Sequence, residues 1–193
     1  MIIGISAKIG CGKTFLTNFF LEEYPEYIKL GFGDVLKQEC SETYGYPLEW
    51  NYTEEGKVEI ITLIGHHVDG MTVREILQWH GTEYRRAEDE TYWLRKMIDI
   101  LGFKNQFSGL FDKHTTINIV IDDVRFINEA NFVKYYGGIL IRINPYPEWK
   151  SGLYANHRSE TELDNFEDWD LVLSPAFGKL KECVTIIKMA IGK

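Results

Sequence analysis

The chain begins with Ile2-Ile3-Gly4-Ile5-Ser6-Ala7, an apolar run of β type, and passes directly into Lys8-Ile9-Gly10-Cys11-Gly12-Lys13-Thr14. The residues that follow, Phe15 to Leu21, place apolar side chains at 15, 16, 19 and 20, the spacing of a helix face. A strand that turns through a short Gly-rich loop into a helix directs successive backbone N–H groups inward. The positive end of the helix points at the same place, which makes the turn a cradle for phosphate oxygens. In such a loop the lysine reaches the β- and γ-phosphates and the Ser/Thr hydroxyl binds Mg²⁺, roles that fall here to Lys13 and Thr14. Ala7, Lys8, Gly10, Cys11, Gly12, Lys13 and Thr14 are therefore the expected nucleotide-binding segment. Ala7 stands where the motif usually has its first glycine. Alanine is tolerated there unless φ must be positive, and Gly10 and Gly12 supply two permissive positions.

Beyond this loop the chain alternates strand and helix patterns. Apolar runs at 28–32, 117–121, 139–143 and 170–174 predict further strands. Helices are predicted from Gly33-Asp34 through Glu39, from Val73 to His80, from about Asp89 to Leu101, from Ile127 to Tyr136 and from Leu180 to Ala190. Thr72 and Glu75 make a capping box, as do Ser159 and Glu162. Ser41 to Thr72 is weakly patterned and broken by Gly45, Pro47, Gly56 and Gly65, and a Pro- and Trp-containing loop runs from Asn144 to Asn156. Trp79, Trp93 and Tyr84 are expected in the core. The pattern predicts an α/β three-layer sandwich, with a mostly parallel five-stranded sheet flanked by helices and a ligand site at the carboxyl ends of the strands. At 193 residues, one domain spanning 1–193 suffices. It would carry an insertion over about 33–105 and a lid-like segment over about 144–160.

Asp122-Asp123 follow the apolar run ending at Ile121, the position where phosphate-loop enzymes place the acid that holds Mg²⁺. Thr14, Asp122 and Asp123 are thus the candidate metal ligands. Seven arginines, Arg74, Arg85, Arg86, Arg95, Arg125, Arg142 and Arg158, supply candidate phosphate clamps. Moving a phosphoryl group depends mainly on positioning and charge neutralisation, so a transferase needs such clamps. A net charge of −8 argues against a protein that wraps nucleic-acid backbone, while a nucleotide in a local basic pocket remains compatible. Three cysteines without paired spacing read as reduced thiols, and the five histidines show no metal spacing. No apolar run is long enough to span a bilayer and no signal-type segment precedes the first strand, so a cytoplasmic protein without membrane partners is expected.

Several segments together resemble the deoxynucleoside monophosphate kinases of large tailed bacteriophages. They are the phosphate loop, Phe32-Gly33-Asp34-Val35-Leu36-Lys37, Leu77-Gln78-Trp79-His80-Gly81-Thr82-Glu83 with Tyr92-Trp93, Asp123-Val124-Arg125-Phe126-Ile127-Asn128-Glu129-Ala130, and His157-x-Ser159-Glu160. The resemblance covers nearly the whole chain, and the Gln-x-x-Gly-Thr-Glu and Asp-Val-Arg-Phe-x-Asn-Glu segments are its most discriminating parts. It implies a nucleoside-monophosphate-kinase-like fold, ATP and Mg²⁺ as donor, with ATP held by the nucleotide-binding segment, and a 2′-deoxynucleoside 5′-monophosphate as acceptor. It further implies that Lys13, Arg125 and Asp123 are catalytic, that Asp34, Lys37, Arg74, Gln78 and Arg86 line the acceptor pocket, and that Arg142, Lys150 and Arg158 serve the lid. A homodimer and the host cytoplasm fit the same resemblance. The residues alone leave open a kinase of another small acceptor, such as dephospho-coenzyme A, or a nucleotide-dependent switch. The arginines in excess of one phosphate site speak against the switch.

Overall fold

The structure, a computed structural model, describes residues 1–100, 118–150 and 155–192. Expectations placed on Leu101 to about 105, on Ile117 and on residues 151–154 of the loop lie outside the described residues. The chain divides into two compact units, one formed by Met1–Gly31 with the described residues beyond position 100, the other by Phe32–Ile100.

The first unit is built on strands β1 (Ile2–Ala7), β2 (Tyr27–Leu30), β3 (Asn118–Ile121), β4 (Ile139–Ile143) and β5 (Leu171–Leu173). They form one sheet in the order β2-β3-β1-β4-β5, and every pairing is parallel. Parallel sheets need cover on both faces, and β1 at the centre is buried at every position. Side chains alternate across a strand. Ile3, Ile5 and Ala7 join the cluster that contains Leu16 and Phe20 of helix α1 (Lys13–Glu23) and Val184 and Ile187 of the C-terminal helix (Leu180–Ala190). On the opposite face Gly4 lies under the helix Ile127–Tyr135, where an added Cβ would stand 2.7 Å from Val133 Cγ2. Glycine at position 4 therefore permits the close approach of that helix. The fold is an α/β sandwich, and its sheet is parallel throughout the described strands.

The second unit contains α2 (Phe32–Tyr44), a 3₁₀ turn (Leu48–Asn51), α3 (Glu54–Lys57), α4 (Val73–Gln78), a π-helical stretch (Trp79–Arg86) and α5 (Tyr92–Ile100). Cys40, Tyr44, Tyr46, Ile61, Val68, Val73 and Ile76 make its own apolar core. The remaining helices among the described residues belong to the first unit: α6 (Ile127–Tyr135), α7 (Arg158–Thr161) and α8 (Leu180–Ala190).

Two expectations require correction. The strand expected over 28–32 ends at Leu30, and Phe32, buried, opens α2 instead; a short apolar run fits a strand end and a helix start equally well. Ser159 does not cap a helix with Glu162. The N-cap of α7 is His157, whose ring nitrogen accepts from the Ser159 N–H, while Glu162 accepts from Ile127 N–H at 3.1 Å and pairs with Arg158. The Thr72–Glu75 capping box is present with both of its bonds.

Candidate active site

The turn between β1 and α1 is built by two glycines in the left-handed region, Gly10 at φ 77° and Gly12 at φ 80°. No described non-glycine residue has positive φ. Ala7 is the last residue of β1 and is buried there, so the motif's usual glycine is not needed at that position. At Gly12 an added Cβ would also fall 2.3 Å from Leu180 Cδ1 of α8. The loop closes on its own lysine: Lys13 Nζ donates to the carbonyls of Ala7 at 2.6 Å and Lys8 at 3.1 Å. Burial, reinforced by the nearby positive charge of Arg125, lowers Lys13 from the ordinary lysine range to about 7, against the opposing pull of Cys11, Asp123 and Asp122. Thr14 is exposed in the first turn of α1. Cys11 is buried, and burial pushes its thiol up, so it packs as a neutral side chain.

The two carboxylates after β3 differ in setting. Asp122 is buried and pairs with Lys29 Nζ of β2 at 2.8 Å, so its charge is already balanced. Asp123 is half-buried and acts on Lys13 through its charge. Arg125 is fixed at both ends. Its backbone N–H donates to Glu129 Oε2 at 2.8 Å, and its guanidinium pairs with Glu160 and donates to the Ser159 carbonyl at 3.4 Å.

The segment expected to act as a lid meets the loop directly. Glu160 accepts from Ile9 N–H at 2.8 Å, Lys8 Nζ donates to the Glu160 carbonyl and pairs with Asp164, and Trp149 Nε1 donates to the Ile9 carbonyl at 2.9 Å. The three basic residues expected there occupy distinct settings. Arg142 lies in β4, donating to Ser6 Oγ at 3.1 Å and facing Asp164 at 3.5 Å. Arg158 pairs with Glu162 over the Phe126 ring, and Lys150 is exposed.

The expected acceptor residues all lie in the second unit. Asp34 and Lys37, one turn apart on α2, pair at 3.0 Å, with Lys37 over the Tyr52 ring and the Tyr52 hydroxyl 3.4 Å from Asp34. Arg74 pairs with Glu54 at 2.7 Å. Gln78 ends α4 half-buried, and Arg86 is buried at the end of the π-helical stretch, donating to the Glu90 carbonyl at 3.3 Å.

Sequence reasoning assigned no role to Glu39, which ties α2 to the π-helical stretch and to α5. Its carboxylate accepts from Arg85 Nε and the Tyr92 hydroxyl at 2.7 Å each and from His80 Nε2 at 3.0 Å, with Lys96 at 3.3 Å. Burial would raise it, but the hydrogen bonds from Tyr92, His80 and Arg85 outweigh burial and bring it down to about 2. Because that carboxylate can only accept, His80 carries its proton on Nε2. Its Nδ1 then accepts from the Tyr44 hydroxyl at 2.6 Å, and burial keeps the ring neutral. Trp93 is buried as expected and donates to the Gly81 carbonyl at 2.9 Å, whereas Trp79 and Tyr84 are half-buried and stack on each other at 5.3 Å. Partners so far apart in sequence leave no spacing by which this network could have been found.

Among the described residues no group of three or more His, Cys, Asp or Glu side chains could hold a metal ion. Thr14 and Asp123 offer hard oxygen donors. Mg²⁺ is commonly held by one or two carboxylates together with substrate phosphates, so this sparse oxygen set fits it. No helix among the described residues is long and apolar enough to cross a membrane.

The glycine turn, the lysine folded over it and the parallel sheet beneath define a phosphate-loop protein. The chain is 31% identical over 177 residues to a protein of Acanthamoeba polyphaga mimivirus provisionally named deoxynucleotide monophosphate kinase, an alignment covering 90% of this chain and 87% of the viral protein. The chain belongs to that deoxynucleotide monophosphate kinase family. No protein-family model matches it. The crystal structure of shikimate kinase from Aquifex aeolicus aligns over 100% of this chain and 96% of its own length, at a TM-score of 0.48 and 13% identity. That likeness is too distant to carry the assignment, which rests on the viral relative.

Proposed function

We propose that the protein transfers the γ-phosphoryl group of ATP to a deoxynucleoside 5′-monophosphate, giving the diphosphate and ADP for DNA precursor synthesis. The observation that carries this reading is Lys13. It is drawn over the loop by two carbonyls and is poised by burial between its charged and neutral forms, in a chain of the deoxynucleotide monophosphate kinase family. In the proposed reaction the loop amides and Lys13 hold the β- and γ-phosphates, and Arg125 stabilises the charge that spreads over the transferred group. Thr14 and Asp123 are the residues proposed to hold Mg²⁺, which when bound neutralises phosphate charge. Asp122, already balanced by Lys29, is the weaker of the two acids for that task. Asp34, Lys37, Arg74, Gln78 and Arg86 are proposed to receive the acceptor. Its phosphate is anionic at neutral pH and is itself the nucleophile, so neither a general base nor a covalent intermediate is needed.

The test is phosphoryl transfer from ATP to each common deoxynucleoside and ribonucleoside monophosphate in turn, with the diphosphate product identified. Transfer to one or more deoxynucleotides supports the proposal. ADP release that no nucleoside monophosphate stimulates overturns it.

A further inference from the structure

We propose that Glu160 is a positioning residue for phosphoryl transfer, setting Arg125 and the phosphate loop in register with each other. The proposal rests on the reading of Arg125 as a phosphate contact. Glu160 is buried, and a buried carboxylate persists only where charge and hydrogen bonds compensate for lost water. One of its oxygens meets the Arg125 guanidinium on the connection between β3 and α6, and the other accepts from the Ile9 N–H inside the loop. These two partners come from separate segments of the first unit. A guanidinium presents its five donors in a fixed plane, so a carboxylate on one edge determines where the others point. The Arg125 backbone is already fixed by Glu129, so the direction of the side chain is set by its own partners, the charged Glu160 carboxylate and, at 3.4 Å, the Ser159 carbonyl. Attachment of α7 to the loop does not require this carboxylate, because Lys8 binds the Glu160 backbone carbonyl and the Asp164 side chain. The side-chain charge at position 160 is therefore available for positioning Arg125.

The experiment compares binding of MgATP and MgADP by calorimetry in the full chain and in Glu160→Ala, Glu160→Gln, Arg125→Ala and the Arg125→Ala/Glu160→Ala double variant. If Arg125 meets the terminal phosphate and Glu160 aims it, Glu160→Ala lowers the preference for ATP over ADP by roughly 10- to 100-fold, the range of a charge-assisted hydrogen bond. Glu160→Gln, which keeps the shape and loses the charge, should fall between. The double variant should match Arg125→Ala alone, because an arginine that is absent cannot be misaimed. An unchanged ATP preference in both Glu160 variants overturns the proposal, as does a loss that adds fully to that of Arg125→Ala. Should Glu160→Ala fail to fold, the near-isosteric Glu160→Gln and its combination with Arg125→Ala decide by the same criteria. The ratio needs no acceptor, so it judges Glu160 even if the acceptor proves not to be a deoxynucleotide; the acceptor panel judges that reading separately.

Discussion

Lys13 links nucleotide binding to a proton. With its pKa lowered to about 7 rather than in the ordinary lysine range, the side chain passes from charged to neutral across the neutral pH range. The amine of either form can donate to the Ala7 and Lys8 carbonyls, so these bonds do not force a charge. A triphosphate placed against Nζ reverses the balance, since an opposite charge at close range favours the protonated form. At pH 8 phosphate groups with a second pKa near 6 are already ionised. The proton count there reports the lysine: MgATP binding should take up most of a proton at pH 8, less at pH 7 and little at pH 6. The assay is calorimetric titration in buffers of differing ionisation heat, with the slope giving the protons taken up. Lys13→Met, which lacks the titrating group, should abolish the slope at pH 8. A slope of zero at pH 8 in the unaltered protein, or the same slope in Lys13→Met, would refute the reasoning. The stability linkage has a definite sign. Between about 7 and the usual lysine value the unfolded chain binds more protons than the folded one. Stability therefore rises with pH across that window, and the full penalty of the buried charge falls below pH 7.

Other outcomes are equally definite. Lys13→Ala should lower kcat by roughly three orders of magnitude or more with the fold retained, checked by coupled ADP detection and circular dichroism; near-normal turnover speaks against the proposed reaction. Gly12→Ala should cost about 1–3 kcal/mol, because φ is 80° and the new methyl meets Leu180. A thermal midpoint lowered by several degrees, partly recovered by adding Leu180→Ala, would bear this out. Glu39→Gln should cost about 2–3 kcal/mol by breaking the bonds from Arg85, Tyr92 and His80. The stabilising contribution of Glu39, present above its unfolded value of 4.5, is lost as pH falls toward 2, so acid unfolding of the Glu39→Gln variant should be less steep over that range.

The parts of the fold that were legible in the sequence are those held by neighbours along the chain. β1 reads as buried because a central parallel strand needs apolar residues on both faces, and α8 begins and ends where its periodicity does, at Leu180 and Ala190. The π-helical stretch from Trp79 to Arg86 was not legible, since only a helix ending near His80 follows from periodicity. Its wider turn coincides with tertiary demands. His80 is buried between Glu39 and Tyr44, and Gly81 sits where a Cβ would meet Leu36 Cδ2 at 2.9 Å. The same holds for Ser159. The spacing to Glu162 satisfies the capping-box rule, yet Glu162 is drawn to the Ile127 N–H 35 residues away, and the ring of His157 takes over the cap. Glu160 shows the limit most clearly, as its partner Ile9 lies 151 residues distant and no spacing rule joins them.

These bonds have a further consequence for selectivity. The cations around the loop are each engaged within the protein: Lys13 with loop carbonyls, Lys8 with Asp164, Arg142 with Ser6 and Asp164, and Arg125 with Glu160. A ligand gains from each only the difference between its own bond and the one already present, and that difference is small for a neutral or singly charged group. A triphosphate, with several charges that engage Lys13, the loop amides and Arg125 at once, gains at every point without ordering side chains that were loose beforehand. Lys13 is the member of this set whose internal partners are neutral carbonyls and whose charge is itself suppressed by burial. A polyanion restores that charge as well as pairing with it. The burial that weakens the lysine in the free protein therefore makes its protonation part of polyphosphate binding, and the proton taken up at pH 8 measures that coupling.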